Sequence, residues 1–389
     1  MHRRQILGAA GVVATSGCLR LQSDGEEAQT TDTGSVSLSE HWSIEPTFEY
    51  IWSDETRFYF NGWAWAGVAN HGDGIRWKKQ IATQGGDHSI AAADAFASDQ
   101  RYLIFGFYPG SSVDEPITGH FVAFDRRNLG TELWTHIVPS ENGENYPIGA
   151  TIIDDVAILA VTHDAQTSDP WVGGVDVETG EELWRLDTSD YGQVSTTFVG
   201  NHSSEAYVGM FGVNPAPPGV QVLSHDDGSV IETQDNWAVG EIDEMSGGEI
   251  HGSTLFAITP DKNGVRAYGL DDAGTEWEID LASDSNANIS TTLYVDTGLV
   301  VVGTTSGELY SLERNSGLTR WSVSLINEVA SISASDTNVW ATNTDGGVFA
   351  YERSTGEQTH RSVKPTDGTD IAVVDNVIAF GDGLAYEIN

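Results

Sequence analysis

The sequence predicts an all-β protein: eight four-stranded antiparallel units closed into a ring. Three observations predict it. A turn motif recurs seven times at a slowly shrinking period. The composition is that of short strands and tight turns. The last unit lacks a fourth strand, which an orphan segment near the start can supply.

The marker glycines of the repeat are Gly74, Gly130, Gly180, Gly228, Gly274, Gly317 and Gly356, separated by 56, 50, 48, 46, 43 and 39 residues. The clearest copies are 124–134, 175–184 and 311–321. Each has an apolar strand, an acidic residue, a turn ending in Gly, and Trp four residues after the Gly (Trp134, Trp184, Trp321). Weaker copies put Trp77 and Trp277 three residues after Gly74 and Gly274. The copies around Gly228 and Gly356 lack the Trp. A left-handed turn position that a Cβ would strain explains the Gly. Acidic or Asn side chains before it can bond turn amides. The Trp brings a large buried surface with an N–H to place.

Two further alternating strands precede each turn. In the sixth unit Ser290–Asp296 and Leu299–Thr304 precede Glu308–Glu313, and Thr319–Ser324 follows. At the end of the chain Asp370–Val374, Val377–Phe380 and Leu384–Ile388 make three strands. Segment 39–45, with Trp42, resembles the fourth strand of the unit around Trp184. It is expected to complete the last unit and so remove a free edge. Residues 37–389 then form eight units, with seven as the alternative count.

Four-stranded units at a 40–50 residue period are the blades of a β-propeller. The order Asp, Thr-Gly, Trp, best matched around Gly180, resembles the PQQ-like repeat family over residues 37–389. In quinone-dependent dehydrogenases with that repeat, the resemblance would imply PQQ in the central channel, a Ca²⁺ site and often an adjacent-Cys disulfide. Cys18 is the single Cys, and no segment matches their cofactor or Ca²⁺ ligands. Neither PQQ nor Ca²⁺ is expected. The chain is also similar, in fold and anchoring, to the bacterial outer-membrane assembly lipoprotein built from the same repeat. That implies a non-catalytic scaffold for other envelope or secreted proteins, as a monomer. The alternatives are a quinoprotein-like oxidoreductase and a small-ligand receptor, both using the channel.

The N-terminus reads as an address. Arg3 and Arg4 precede a short apolar run, 6–17, too short to span a bilayer core of ~30 Å comfortably. This resembles a twin-arginine signal peptide over 1–17. Thr15-Ser16-Gly17-Cys18 resembles a lipobox, which would lipidate Cys18 and hold the protein at the outer face of the cytoplasmic membrane. Residues 18–36 are polar and read as a disordered acidic tether.

The chain of 389 residues carries 58 Asp and Glu against 18 Lys and Arg, a net charge of −40. That field repels phosphate backbones, so nucleic acid is excluded as a partner. With 39% hydrophobic residues and 12 Trp, the charge does not signal disorder. An acidic, Lys-poor shell on an ordinary core resembles the proteins of salt-loving microbes, haloarchaea among them. Its expected job is hydration of the surface.

No compact His and carboxylate set, nucleophile elbow or phosphate loop is present. The Asp-rich turns lack the alternating oxygens of a Ca²⁺ loop. His71, His225 and His360, in or after the turns, read as capping or surface residues. Trp63 and Trp65 read as alternating within one strand of the first blade. Blades two to four carry insertions between their second and third strands, at 108–116, 165–171 and 213–219. These should rise on one face as a recognition wall, with Tyr108, Asp114, Asp169, Trp171 and Asn214 as candidate contacts. Asn201-His202-Ser203 and Asn288-Ile289-Ser290 are N-glycosylation sequons.

Overall fold

The computed structural model describes residues 36–389, except 44–49, 55–56, 63–64, 71, 73, 81–89, 110–117, 129, 139–144, 164–170, 188–192, 215–218, 241–246, 282–286, 292, 364–369 and 382. The described residues contain strands and no helix. Strand β1 is Leu38–Ser43. Blade 1 is β2–β5 (Tyr50–Ser53, Arg57–Gly62, Trp65–Asn70, Gly74–Gln80). Blade 2 is β6–β9 (Ile90–Ser98, Tyr102–Pro109, Gly119–Asp125, Glu132–Val138), and blade 3 is β10–β13 (Asn145–Ile153, Val156–His163, Trp171–Asp176, Glu182–Arg185). Blade 4 is β14–β17 (Gln193–His202, Glu205–Asn214, Gly219–Ser224, Val230–Gln234), and blade 5 is β18–β21 (Gly248–His251, Thr254–Ile258, Gly264–Gly269, Thr275–Asp280). Blade 6 is β22–β25 (Tyr294–Val295, Leu299–Gly303, Glu308–Glu313, Thr319–Ser324), and blade 7 is β26–β29 (Val329–Ala334, Asn338–Asn343, Gly347–Glu352, Gln358–Val363). Blade 8 is β30–β32 (Ile371–Val374, Val377–Phe380, Leu384–Ile388) with β1 as its fourth strand. The count is eight. First strands of neighbouring blades adjoin, β30 meeting both β26 and β2, so the ring closes.

Burial explains the strand patterns. Second and third strands lie between two neighbouring blades and are buried on both faces; Thr254–Ile258 and Leu299–Gly303 are buried throughout. Continuous apolar runs there follow from that position. Fourth strands are open on one side, and β21 and β25 alternate accordingly. The cores form between blades, as where Ile148 and Ile158 of blade 3 pack with Val208 and Leu223 of blade 4.

The Trp of the repeat joins one blade to the next. It sits on strand four beside a bulge, as in the pairing of Trp134 with Ala123 and of Trp184 with Gly174. Its indole N–H donates to the carbonyl three residues before the next marker Gly. Trp134 reaches Val177 (2.9 Å), Trp184 His225 (2.7 Å), Trp277 Arg314 (2.8 Å) and Trp321 Arg353 (3.0 Å). The ring then covers that Gly: a Cβ on Gly180, at φ 73°, would lie 2.6 Å from Trp134. Gly74, Gly130, Gly228, Gly317 and Gly356 also have positive φ and lie against Trp42, Trp77, Trp184, Trp277 and Trp321.

Gly274 departs from the expected left-handed position, which Ala273 takes instead at φ 54°. The reason lies in blade 4, where the register puts Glu232 at the Trp position. No indole arrives to cover the Gly. Trp237, beyond β17, fills the space between blades 4 and 5 by stacking on Tyr268 at 4.9 Å. The first blade brings a second correction. Trp65 opens β4, antiparallel to β3 and opposite its last residue Gly62, so no described strand extends from Trp65 toward Trp63. Trp63 lies outside the described residues.

A second set of contacts bridges the same junctions. Arg126 meets Asp54 at 2.5 Å, Arg101 meets Glu178 at 3.0 Å, and Arg353 meets Asp296. His225 faces Asp154 at 3.7 Å, His202 faces Asp271 at 3.5 Å, and Arg314 donates to the His251 carbonyl at 2.8 Å. Each joins the first turn of one blade to the last turn of the next. A chain poor in cations places several of them between blades.

Candidate functional site

The antiparallel order sends two kinds of connection to each face of the ring. Turns between strands one and two, and three and four, leave on one side, the turn face. Connections between strands two and three, and from one blade to the next, leave on the other, the loop face.

Blades 2, 3 and 4 differ from the rest at the loop face. Their first two strands run 9 and 8, 9 and 8, and 10 and 10 residues. In blades 5 and 8 the same strands have only 4 or 5. The register shows where the extra length goes. The last pair between strands two and three is Phe107 with His120 in blade 2, one residue into β8, Val161 with Trp171 in blade 3 and Met210 with Gly219 in blade 4. Beyond strand three, strands one and two pair alone: Ile90 with Pro109 in blade 2, Tyr146 with Thr162 in blade 3, and Gln193 with Asn214 in blade 4. Three neighbouring blades therefore raise two-stranded arms past the four-stranded body.

The first two arms touch. Tyr108 and Tyr146, both half-buried, meet edge to face at 4.9 Å and 81°. Blade 3 nests closely against blade 2 below them. A Cβ on Gly106 would lie 2.7 Å from Pro147, so only Gly admits that approach. Asn61, fully buried, ties blade 1 in by donating to the carbonyls of Ala93 (3.2 Å) and Gly106 (2.7 Å). At the foot of the first arm His120 meets Thr118 Oγ1 at 2.8 Å, and burial pushes its imidazole down toward the neutral form.

The structure separates the expected wall residues. Tyr108 stands on an arm. Asn214 ends β15, opposite Gln193. Asp114 and Asp169 lie outside the described residues. Trp171 opens β12 but is only 5% exposed. Its indole packs against His136 at 5.3 Å, with the Arg185 guanidinium 5.7 Å over the ring. It is a core residue between blades 2 and 3, not a surface contact. Burial also pushes His136 down, so its neutral ring suits that apolar setting. Of the sequons, Asn201 accepts from Thr151 Oγ1 at 2.5 Å and is half-buried, whereas Asn288 is exposed. Cys18, Arg3 and Arg4 lie outside the described residues.

Topology also sorts charge. The loop-face connections from 81 to 247, across blades 2 to 4, contain thirteen Asp and Glu and no Lys or Arg. Sequence reading missed this because the two kinds of connection alternate along the chain. Among the described residues no group of three or more His, Cys, Asp or Glu converges as a metal site. No described helix is long and apolar enough to cross a membrane.

The family described as outer membrane protein assembly factor BamB matches residues 168–323 and 261–386, more than half of the chain. The chain belongs to this BamB family of PQQ-like repeats. No curated protein matches it. Among solved structures, BamB from Moraxella catarrhalis superposes with a TM-score of 0.61 at 15% identity, covering 91% of this chain and 100% of that one. The computationally designed protein Ika8 gives 0.61 at 12% identity, covering 90% and 99%. Quinohemoprotein alcohol dehydrogenase ADHIIG from Pseudomonas putida HK5 gives 0.65 at 11% identity, covering 91% and 76%. At these identities the likeness establishes the BamB-type propeller fold and leaves the chemistry to the residues.

Proposed function

We propose that the protein is a non-catalytic, lipid-anchored scaffold on the outer face of the cytoplasmic membrane, which docks other envelope or secreted proteins on the loop face of blades 2 to 4. The observation that carries this reading is the set of three projecting arms on neighbouring blades. Extended arms on a rigid ring suit recognition, since the body fixes their positions. Tyr108 and Tyr146 offer aromatic surface, the residue type favoured at interfaces. The acidic connections around them repel acidic partners, so part of the specificity comes from rejection. Lipidation at Cys18 and export through the Arg3-Arg4 signal complete the reading. Residue 36 leads into β1 at the turn face, the side opposite the arms.

The test is crosslinking and capture from native membranes, with all three arm loops (110–117, 164–170, 215–218) cut to short turns. The reading expects one or more specific partners to be lost while the ring still melts cooperatively. Retention of every partner overturns the docking surface. A quinone chromophore in the purified protein overturns the non-catalytic role. Cys18→Ala should move the protein from the membrane to the soluble fraction.

A further inference from the structure

Seven of the eight junctions carry a ring at the same place, beside the bulge of strand four. Six of these are Trp, Trp42 of β1 among them. The seventh is His360, opposite Ala350 as Trp134 is opposite Ala123, with Nδ1 2.7 Å from the Val36 carbonyl. At the junction of blades 4 and 5 the residue there is Glu232, opposite Val222. The acceptor half of the motif is built all the same. Leu270 N–H donates to the Ser253 carbonyl and Gly269 N–H to the Gly274 carbonyl, both at 2.9 Å. In blade 3 Val177 donates to Asp155 and Asp176 to Glu181 at the same distance. Leu270 thus answers to Val177, whose carbonyl takes the Trp134 N–H, and Ala273 answers to Gly180. The Leu270 carbonyl accepts no hydrogen bond from the described residues. Facing it, the first four residues of β17 are all exposed, Val230 at 41% and Ile231 at 53%, whereas the docked Trp184 is 8% exposed. Trp237 packs beyond the opposite end of β17, so this end stays open.

We propose that this interrupted junction is a docking slot for a partner protein that presents a Trp side chain next to Lys or Arg. The filled junctions show the chemistry that fits: a flat ring lying over the turn, with its N–H on the carbonyl. Ala273 explains why the ring comes from outside. A Cβ on Gly180 would lie 2.6 Å from Trp134, and Ala273, at φ 54°, carries that Cβ. A ring hung from β17 would collide with it. A ring on another molecule can ride about 1 Å higher, at ordinary contact distance. Charge selects the neighbour of the Trp. Tyr207 Oη donates to Glu205 at 3.1 Å. Burial pushes that hydroxyl up, and the carboxylates of Glu205, Asp271 and Glu232 push it further, so all three lie near it. His202 faces Asp271 at 3.5 Å and is charged only when protonated. Three acids on the two sides of one slot attract a basic residue and repel an acidic one. The slot lies on the turn face, apart from the arms, so it stands or falls independently of them.

The probes are the capped dipeptides N-acetyl-Trp-Arg-amide, N-acetyl-Trp-Glu-amide and N-acetyl-Ala-Arg-amide. Each is titrated into the full chain in the lowest KCl that keeps it folded, with backbone amide shifts as the readout. Amides of 230–234 and 270–274 should move with Trp-Arg. Ala-Arg should bind about tenfold more weakly, having no ring to bury. Trp-Glu should bind about twofold to fivefold more weakly than Trp-Arg, as expected for a charge at an exposed rim. Glu232→Trp combined with Ala273→Gly fills the slot from within and should abolish the response. If that variant does not fold, Glu232→Lys, at an exposed position, keeps the slot open and should narrow the preference for Trp-Arg over Trp-Glu. No shift in these two segments overturns the slot. So does an equal response to Ala-Arg, which would make it a plain cation-attracting patch, or an unchanged response in the folded variant.

Discussion

The indole N–H of Trp134 donates to the carbonyl of Val177 across the junction of blades 2 and 3, while its ring covers Gly180. One side chain thus satisfies its own polar atom, caps a turn and fills an inter-blade core. Trp134→Phe keeps most of the apolar contact and loses the hydrogen bond. It should cost about 1 kcal/mol. Trp134→Ala leaves a cavity as well and should cost about 3–5 kcal/mol. Denaturant melts of the two variants check the order.

The marker glycines should not behave alike. Gly180→Ala meets two penalties, a left-handed backbone and a Cβ 2.6 Å from Trp134. About 2–4 kcal/mol is expected from strain and overpacking together. Gly274 has neither problem; the nearest atom to its added Cβ is Asp272 Oδ1 at 3.3 Å. Gly274→Ala should be neutral, or stabilising by up to about 1 kcal/mol through the unfolded chain. Equal effects in thermal melts would refute the contrast.

The comparison shows which part of the fold was legible. Gly180 and Trp184 announced blade count and turn geometry because each repeat solves the same local problem with the same residues. Trp42 marked the closing strand for the same reason. Glu232, His360 and Trp237 were not legible, because their roles depend on which blade lies next in the ring. Trp171 misled for a related reason. It follows a polar insertion in the chain, yet β12 begins with it, and the packing of His136 and Arg185 draws it inside. The arms escaped notice since no local pattern distinguishes a strand of ten residues from one of six when the excess lies past its partner's end.

The junction of blades 4 and 5 should be the first to open on its turn-face side. Glu232 stands where the indole belongs, and the neighbouring Val230 and Ile231 are exposed. The ionic bridge there uses His202, which is charged only when protonated. Local opening free energy follows local packing. Amides of β17 should exchange at least about tenfold faster than those of β25, whose Trp321 is docked. Glu232→Trp combined with Ala273→Gly restores both halves of the motif and should narrow that gap.

Asp296 sets an acid limit on blades 6 and 7. Burial acts to raise its carboxyl, but the N–H groups of Gly298 and Leu299 and the Arg353 guanidinium outweigh it and hold the group below 3.8. The sign follows from linkage: stability from this group is present above pH 3.8 and lost as pH falls through the folded value. Asp296→Asn should lose about 1–2 kcal/mol at pH 7, discounting for partial exposure. It should also show a flatter decline than the wild type below pH 4 in acid melts.

Salt acts on two opposed sets of charges, and their sizes decide the outcome. The bridges between blades, such as Arg126 with Asp54, are partly exposed and worth about 0.2–1 kcal/mol each. Screening weakens them. Against them stands the net charge of −40 on the chain, whose self-repulsion screening relieves. The Debye length falls from about 10 Å at 0.1 M to about 3 Å at 1 M. A few bridges cannot balance an excess of forty acids, so the melting midpoint should rise with KCl and most steeply below about 1 M. Replacing Arg126 by Gln should shift the whole curve down without changing its slope sign. A midpoint that is already maximal in dilute buffer would refute salt adaptation and return the acidic surface to a role in partner choice.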